Sequence, residues 1–323
     1  MKIKTAVLAV AVIAVLGSGC RKNNTETQTP SLAGAYLSAS APMFAGLNQE
    51  LTFATGIDDL YTSDKTDAGT LGIYWQVNGD SRDTTSRDIT KSNPPFTYIP
   101  KTAGTYTVTA TVFALNGKYY STSASSSFQA IDPDTAIDGL AGPTEAVKID
   151  GTEYQLFAAA IGDHTWMCQN MFSKEKGRAF QGCEVVSALF GRYYTWEEAQ
   201  NVCPEGWRLP TAAEFDQDLG NNAGDLMANV QFLEKDMWPH WPEVVISNLH
   251  SFNALPVGYM DLATSSEAYG YKEYACWWTA DSIQEGEESL GVFRYIFCEE
   301  ADIKKGKGDK NTLALNVRCV KKD

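Results

Sequence analysis

The chain has 323 residues, of which 44% are hydrophobic, and a formal net charge of -14. This apolar fraction is normal for globular proteins and excludes an intrinsically disordered chain. An acidic surface repels phosphate backbones, and no basic patch with interleaved aromatic residues offsets it, so we expect no nucleic-acid partner.

The first twenty residues have the organisation of an export signal. Lys2 and Lys4 precede the apolar run from Ala6 to Leu16, and small residues then lead into Cys20. This order is typical of the signal peptide of a bacterial lipoprotein. We therefore predict a signal peptide over 1–19 and a lipid anchor on Cys20. The apolar run is well short of the ~20 residues that cross a bilayer, which disfavours a transmembrane anchor.

Residues 20–34 are polar and have few side chains that could form a core, which predicts a flexible tether between the lipid and the first domain. The membrane is thus a predicted partner through the lipid on Cys20. Arg21, and not an aspartate, follows Cys20. This favours sorting to the outer membrane, and it leaves surface exposure open.

Residues 35–130 show the pattern of short strands separated by turns. Between Thr105 and Ala114, apolar residues alternate with threonines, as a half-buried strand requires. Asn116 and Gly117 then allow a chain reversal into a second strand over 118–128. Another strand is predicted at 74–77. Together these elements predict an all-β sandwich.

Two stretches in this region resemble the PKD and immunoglobulin-like modules of secreted bacterial proteins. They are Trp75 with the following Asn78-Gly79-Asp80, and the run from Ala103 to Ala110. The resemblance implies a spacer that holds another domain away from the membrane, and a ligand site within the sandwich is the alternative. Residues 131–146 combine glycine, proline and aspartate without an apolar period, which predicts a linker.

Residues 147–323 mix helices with short strands. Thr195 with Glu198, and Thr211 with Glu214, form two capping boxes, which predict helices that end near Val202 and Gly220. Short strands are predicted at three further places, namely 276–279, 292–297 and 314–320.

Seven motifs in this half fall in the order seen in the Fibrobacter succinogenes major paralogous domain, which the chain therefore resembles. They are Lys148–Tyr154, His164–Met167, Gly191–Trp196, Cys203–Thr211, Ala254–Pro256, Trp277–Thr279 and Val317–Val320. That family belongs with the C-type lectin-like folds. The resemblance implies an α+β domain in which two helices flank a small, irregular antiparallel sheet, with close termini and long loops on one side.

The resemblance also makes most of the large motif residues structural. They are Trp166, Trp196, Trp207, Arg208, Trp277, Trp278 and Arg318. Six cysteines remain after Cys20, and their even number in an exported chain indicates disulfides whose pairing the sequence leaves open. The lectin-like fold implies a bridge between Cys203 and Cys319. We also predict bridges between Cys168 and Cys183 and between Cys276 and Cys298.

The residues offer little that would support catalysis. The chain has 3 histidines, and the mature part lacks the common hydrolase, zinc-protease and phosphate-loop motifs. The sugar-binding and calcium-binding triplets of calcium-dependent lectins are absent too. We therefore predict a protein without enzymatic activity, metal or cofactor. The alternative is an enzyme of the formylglycine-generating type, whose related fold uses a reduced cysteine pair.

Recognition of a ligand is the stronger prediction. Aromatic side chains give a large contact area at little entropic cost, which favours stacking on carbohydrate or contact with protein. The candidate ligand residues are Trp238, His240, Trp241, Tyr269, Tyr271, Tyr274, Arg294 and Tyr295. The alternative is that these rings cover the domain's own core. We predict an envelope protein that recognises an extracellular glycan or protein, as in adhesion, and the rival function is a structural component of an envelope or fimbrial assembly.

Overall fold

The computed structural model describes residues 29–85, 95–265 and 267–322, and β-strands dominate them. The predicted signal peptide, Cys20 and most of the tether lie outside the described residues. Within the described ranges, no helix is both long and apolar enough to cross a membrane.

Ten strands lie in the described residues before position 132. They are β1 (Leu32–Ala33), β2 (Tyr36–Ala39), β3 (Phe44–Gly46), β4 (Leu51–Gly56), β5 (Tyr61–Thr62), β6 (Leu71–Val77), β7 (Asp80–Thr85), β8 (Phe96–Tyr98), β9 (Gly104–Ala114) and β10 (Thr122–Ile131). Five of them form one sheet in the order β3-β10-β9-β6-β7, and three form a second in the order β2-β4-β8. A two-stranded ribbon joins β1 to β5.

The two larger sheets enclose one apolar core. Trp75 on β6 stacks against Phe96 on β8 at 5.2 Å, and it lies 6.4 Å from Phe53 on β4. The alternation predicted for β9 is present, since Tyr106, Val108 and Ala110 are buried while Thr105, Thr107 and Thr109 are more exposed. The Asn116–Gly117 turn follows, but the second strand of the hairpin begins at Thr122 and not at Lys118.

Thirteen strands and three helices follow. The strands are β11 (Thr144–Ile149), β12 (Thr152–Ile161), β13 (His164–Met167), β14 (Trp207–Arg208), β15 (Gln231–Phe232), β16 (Lys235–Asp236), β17 (Tyr259–Asp261), β18 (Ala268–Tyr269), β19 (Tyr274–Glu285), β20 (Glu288–Phe297), β21 (Lys304–Asp309), β22 (Leu313–Ala314) and β23 (Val320–Lys321). The helices are α1 (Ser187–Phe190), α2 (Trp196–Ala199) and α3 (Ala212–Leu219), with short 3₁₀ turns at Phe180–Gly182, Glu184–Val186 and Ala223–Asp225.

These strands form several small sheets. The first has the order β11-β12-β13-β23-β14, so the last strand pairs beside the strands that begin this half of the chain. The other sheets have the orders β19-β20-β21, β18-β17-β22 and β15-β16. The segment that we predicted as a linker is partly built into this half, because Ile137 is buried and β11 already begins at Thr144.

Both predicted capping boxes are present. The Thr195 and Thr211 hydroxyls accept hydrogen bonds from the amides of Glu198 and Glu214, whose carboxylates accept from the two threonine amides. Helix α2 ends at Ala199, earlier than predicted, because its last turn tightens and the Asn201 amide donates to the Glu198 carbonyl.

The continuous strand predicted over 314–320 is wrong. The segment divides into β22 and β23, and the residues between them bond to several neighbours in turn. Leu315 pairs with Tyr194, and the Val317 carbonyl accepts from the Met171 amide. An extended segment that changes partners in this way forms no long ladder.

The disulfide between Cys203 and Cys319 is confirmed, with Cα atoms 5.9 Å apart. The other two predicted bridges are wrong, because Cys168, Cys183, Cys276 and Cys298 are free and buried.

Packing explains why the two other bridges do not form. Cys168 lies in the core cluster around Trp166, and Cys183 lies in another cluster. Cys276 and Cys298 also belong to different clusters, because Cys276 packs beside Trp278 and Cys298 packs beside Trp277. Since neighbouring positions of a strand point to opposite faces, Trp277 and Trp278 mark two sides of β19. The two thiols therefore cannot meet.

Candidate functional site

Aromatic rings join the two halves of the chain. Phe44 on β3 inserts among rings from the second half, and its centroid lies 5.6 Å from Phe180, 5.9 Å from Phe190, 5.4 Å from Phe232 and 5.9 Å from Tyr271. Most of these contacts are edge-to-face, which is a favoured geometry for ring pairs. We call these five residues the aromatic joint. The joint buries apolar surface from both halves and fixes them against each other.

A hydrogen bond and a close contact reinforce the aromatic joint. The Met43 amide donates to the Gln181 side-chain oxygen at 2.6 Å. Gln181 has a φ of 46°, in the left-handed region that favours glycine. A Cβ atom at Gly46 would touch Val185 at 3.6 Å, so the backbone of β3 lies directly against the second half. Strain of this kind persists only where surrounding contacts hold the backbone in place.

A cavity of about 620 Å³ opens beside the joint, with one wall from each half of the chain. We call it the junction cleft. Its polar lining comes from Ser40, Gln49, Glu50 and Thr52 on one side, and from Arg178, Gln181, Glu184, Arg192 and Glu267 on the other.

The two arginines of the cleft differ in their freedom. The Arg192 guanidinium is buried, and it donates to Glu184 at 2.5 Å and to the carbonyls of Lys176 and Gly177. Arg178 pairs with Glu198 at 3.1 Å, and 41% of its side chain stays exposed. Arg192 therefore builds the wall, whereas Arg178 keeps donors for a ligand.

The cleft thus offers hydrogen-bond donors and acceptors on both walls. Glu50, Glu184 and Glu267 are exposed carboxylates, and Arg178 and Gln49 are polar groups that face them. A ligand with many hydroxyl groups both donates and accepts, so it can satisfy both kinds of group. Across the described ranges, no group of three or more histidine, cysteine or acidic residues is arranged to hold a metal ion.

Three of the residues predicted to contact a ligand are unavailable to one. Trp238 is 5% exposed, and its indole donates to the Ala254 carbonyl at 3.0 Å. Arg294 is buried and holds Asp216 through two hydrogen bonds of 2.7 and 2.9 Å. Tyr271 belongs to the aromatic joint. Their prediction as ligand contacts is wrong, because each completes the packing of the fold.

Three other predicted residues do come together. Tyr269 lies 6.1 Å from Tyr259, which lies 5.9 Å from Tyr274, and Tyr274 lies 6.3 Å from Tyr295. Burial raises the pKa of Tyr259, Tyr274 and Tyr295. These four residues, the tyrosine row, lie over the core, and none of them lines the junction cleft. His240 and Trp241 are exposed on a separate loop, where the Trp241 indole hydrogen-bonds the Cys298 thiol.

The motif tryptophans that we predicted to be structural are largely buried. Trp166, Trp277 and Trp278 are 0–1% exposed, and Trp207 is 5% exposed. Trp196 is half-buried beneath the Lys310 ammonium, which lies 4.0 Å from its ring.

The two motif arginines that we predicted to be structural both form hydrogen bonds within the fold. Arg208 pairs with both oxygens of Glu214 at 2.7 and 2.8 Å. Arg318 is buried and donates to the carbonyls of Phe252 and Asn253. Sequence reasoning missed the junction cleft, since its walls come from positions far apart and carry no local motif.

Two solved structures are remotely similar to the chain. The chain is similar to the CARDB domain of a Pyrococcus furiosus protein, solved in complex with di-metal ions, at 16% identity and a TM-score of 0.25, over 32% of this chain and 94% of that one. It is similar to a quinonprotein alcohol dehydrogenase-like protein from Bacteroides thetaiotaomicron at 12% identity and a TM-score of 0.20, over 88% and 96% of the two chains. Likeness at this level supports no argument about function.

No curated protein matches the chain. The family comparison is specific, because the model of the Fibrobacter succinogenes major domain matches residues 148–321, which is more than half of the chain. This match confirms the resemblance that the seven motifs indicate. The chain therefore belongs to the Fibrobacter succinogenes major domain family.

Proposed function

We propose that this protein is anchored in the bacterial outer membrane by a lipid on Cys20 and recognises a neutral extracellular glycan in the junction cleft. In this proposal an immunoglobulin-like sandwich, residues 35–130, presents a C-type lectin-like head, residues 147–323. The facing sheets around Trp75 support the first assignment. The Cys203–Cys319 bridge and the pairing of β23 beside β13 support the second.

The junction cleft is the single observation that carries this proposal. Ligand sites are concave and largely preformed, and they lie preferentially between domains. The aromatic joint keeps the two walls of the cleft in place without a ligand, so binding does not need to order them. A preorganised site loses less entropy on binding and therefore binds more tightly.

The lining of the cleft supports a neutral, hydroxyl-rich ligand. Its exposed groups are three carboxylates, amides and one partly exposed guanidinium, so acceptors outnumber the positive charge. A polyanion would face three carboxylates, and an apolar ligand would leave the polar walls without partners. A neutral oligosaccharide can donate hydroxyls to Glu50 and Glu267 and accept a hydrogen bond from Arg178.

A binding function without catalysis is further supported by the state of the cysteines. An enzyme of the formylglycine-generating type needs two accessible thiols close together. Burial raises the pKa of Cys168 and of Cys183 to about 11, and it also raises the pKa of Cys276 and Cys298. Thiols of raised pKa are poor nucleophiles.

The test is an array of neutral and acidic oligosaccharides probed with the chain from residue 29 onward. We expect saturable binding to a neutral glycan. Thr52→Trp, which fills the cleft from an exposed position on β4, should weaken that binding at least about tenfold, equivalent to roughly 1.4 kcal/mol. Glu50→Ala should weaken it less, because it removes one acceptor. Tyr269→Ala, in the tyrosine row, is the matched control and should bind as the wild type does.

Two outcomes would contradict the proposal. Loss of binding in Tyr269→Ala with retention in Thr52→Trp would move recognition to the tyrosine row. The absence of binding to any glycan, combined with stable co-purification with envelope proteins, would favour an assembly component.

A further inference from the structure

Two exposed tyrosines flank the strand through which the chain enters the fold. In strand β1, the Leu32 amide donates to the Tyr120 carbonyl at 2.9 Å, and the Tyr120 amide donates to the Pro30 carbonyl at 2.9 Å. On its other edge, β1 pairs antiparallel with β5, with Ala33 opposite Tyr61. Residues 30–33 therefore lie between a segment that contains Tyr61 and one that contains Tyr120.

The register places both tyrosine rings on one face of this ribbon. Residues directly opposite each other in paired strands share a face, and side chains alternate along a strand. Leu32 and its partner Thr62 are buried, so they face the core. Tyr61 is opposite Ala33 and Tyr120 is opposite Ser31, so both rings point outward. They are 62% and 64% exposed, more than any other aromatic side chain in the described ranges.

The surroundings hold this face in shape. The Tyr119 hydroxyl contacts the Thr66 hydroxyl at 2.6 Å and the Asp67 carbonyl at 3.2 Å. The side-chain amide of Asn116 donates to the Ala68 carbonyl at 3.0 Å. These bonds tie the loop after β5 to the turn between β9 and β10. The two tyrosines are thus presented by a braced surface.

The position of this face relative to Cys20 identifies what it meets. Cys20 precedes Pro30 by ten residue steps, and a fully extended chain of that length reaches at most ~36 Å. A lipid on Cys20, on which this inference rests, would keep the ribbon within that distance of the bilayer. Tethering at short range raises the local concentration of a weak contact and makes it effective.

We propose that Tyr61 and Tyr120 rest in the headgroup layer of the membrane that holds the lipid anchor, and so orient the protein on its surface. Tyrosine suits this layer, because its ring is apolar and its hydroxyl is polar. Four exposed aspartates in the turns before and after β5, Asp58, Asp59, Asp64 and Asp67, outnumber Lys65 and Lys118. The face therefore fits zwitterionic lipid and is repelled by anionic lipid.

The test uses the full acylated chain, with the lipid on Cys20 confirmed by mass spectrometry, in vesicles of phosphatidylethanolamine and phosphatidylcholine. Hydroxyl-radical footprinting measures the solvent exposure of individual side chains. We expect Tyr61 and Tyr120 to be several-fold less reactive than in the soluble Cys20→Ala protein. Tyr269, which lies in the other half of the chain, should react equally in both and serves as the internal reference.

A pair of variants separates membrane contact from simple crowding. Leu115, 42% exposed in the neighbouring turn, should be protected in the acylated wild type. It should lose that protection in the double variant Tyr61→Ser/Tyr120→Ser and keep it in the control Tyr269→Ser. Replacing part of the lipid with phosphatidylglycerol should reduce the protection.

The outcomes distinguish this inference from the proposed function. A Cys20 without lipid would overturn both the anchor and the membrane contact. A lipidated chain whose Tyr61 and Tyr120 react as in the Cys20→Ala protein would overturn the contact alone, as would stronger protection on anionic vesicles. Glycan binding by the cleft is measured without lipid and is independent of either result.

Discussion

Residues 29–131 and residues 148–321 fill their interiors with different kinds of side chains. Among the residues of the first region whose side chains the structure describes, the buried ones are almost all apolar, and the buried polar ones are Thr55, Thr62 and Thr111. Its backbone groups pair along ladders, of which β9 with β10 is the longest. On the outer face of that ladder, Thr107 and Thr109 hydrogen-bond Ser127 and Ser125 at 2.8 Å each.

The second region buries arginine and asparagine among its aromatic rings. Arg318 donates to two loop carbonyls and to the Asn170 side chain at 2.7 to 2.9 Å. Asn170 in turn donates to the Phe190 carbonyl at 2.9 Å. The Trp278 indole also donates a hydrogen bond, to the Tyr194 carbonyl, at 2.8 Å.

The difference follows from how each region pairs its backbone. Every buried carbonyl needs a donor, and long ladders supply one from the neighbouring strand. The second region also has a long ladder, β19 with β20, but its buried loop residues Phe252 and Asn253 lie outside any strand, and their carbonyls have no such donor. In residues 148–321, side-chain donors take that place. The second region should therefore be more sensitive to single polar substitutions and to the loss of its cross-link.

Breaking the cross-link should have the largest effect. The Cys203–Cys319 bridge closes a loop with a sequence separation of 116 residues, and the first region has no cysteine. Cys203→Ser/Cys319→Ser should lower the free energy of unfolding by about 2–5 kcal/mol, measured by equilibrium unfolding in urea. Hydrogen exchange should accelerate in residues 148–321 more than in residues 29–131.

Dithiothreitol provides the matched control for this variant. It should destabilise the wild type and leave the double variant unchanged, because the remaining cysteines are free. A further shift of the double variant under dithiothreitol would reveal a second bridge and contradict the description of the four buried thiols.

Replacing one buried donor should have the next largest effect. Arg318→Leu keeps the site apolar but leaves the carbonyls of Phe252 and Asn253 without their donor, whereas the Asn170 side-chain oxygen still accepts from the Trp277 indole. At about 1 kcal/mol or more for each of these two unsatisfied buried acceptors, the free energy of unfolding should fall by about 2 kcal/mol.

The comparison partner of Arg318→Leu is Thr109→Val, which also removes a hydrogen bond, but from the outer face of β9. Its cost should stay below about 1 kcal/mol, because water replaces the lost partner of Ser125. Equal losses in the two variants would contradict the distinction between ladder-paired and side-chain-paired interiors.

A feature of the fold can be predicted from the sequence when the residues that specify it lie close together along the chain. The capping boxes at Thr195 and Thr211 span four residues, and the alternation of β9 is visible in one strand, so both could be predicted. The Cys203–Cys319 bridge could be predicted only through the family resemblance. The other two bridges were wrong because cysteine spacing does not reveal which core cluster each thiol enters.

The candidate site is specified over long distances and was largely missed. Gln49 and Arg178 face the same cleft from different halves of the chain, and no local pattern connects them. In the sequence, nothing distinguishes Phe44 from other apolar strand residues, because its aromatic partners lie far away along the chain. Within the tyrosine row, the sequence singled out Tyr269, Tyr274 and Tyr295 as candidate ligand residues, a role that stays a prediction, but not Tyr259 between them. An aromatic residue in the sequence is compatible with a place in the core or on a binding surface. Only the packing around its ring shows which of the two it has.

The smallest predicted effect concerns pH and again falls on the second region, which holds all 3 histidines. His164 Nδ1 lies 2.8 Å from Asp218, and Nε2 lies 3.5 Å from Glu214. The hydrogen bond to Asp218, helped by both carboxylate charges, raises the pKa of His164 above its usual 6.5. Hydrogen bonding to Arg208 lowers the pKa of Glu214 from 4.5 to about 2.

The two shifts act at opposite ends of the pH range. The His164 contribution is fully present below pH 6.5 and is lost as the pH rises through its raised pKa. The Glu214 contribution is present above pH 4.5 and is lost as the pH falls toward 2. Urea unfolding should therefore show a loss of stability on the alkaline side of pH 6.5, below about 1 kcal/mol because the pair is partly screened by solvent. His164→Gln should abolish that loss and His240→Gln, at an exposed position, should preserve it. A loss that survives in His164→Gln would assign the pH dependence to groups other than this pair. It would also contradict the expectation that the pH dependence arises in the second region.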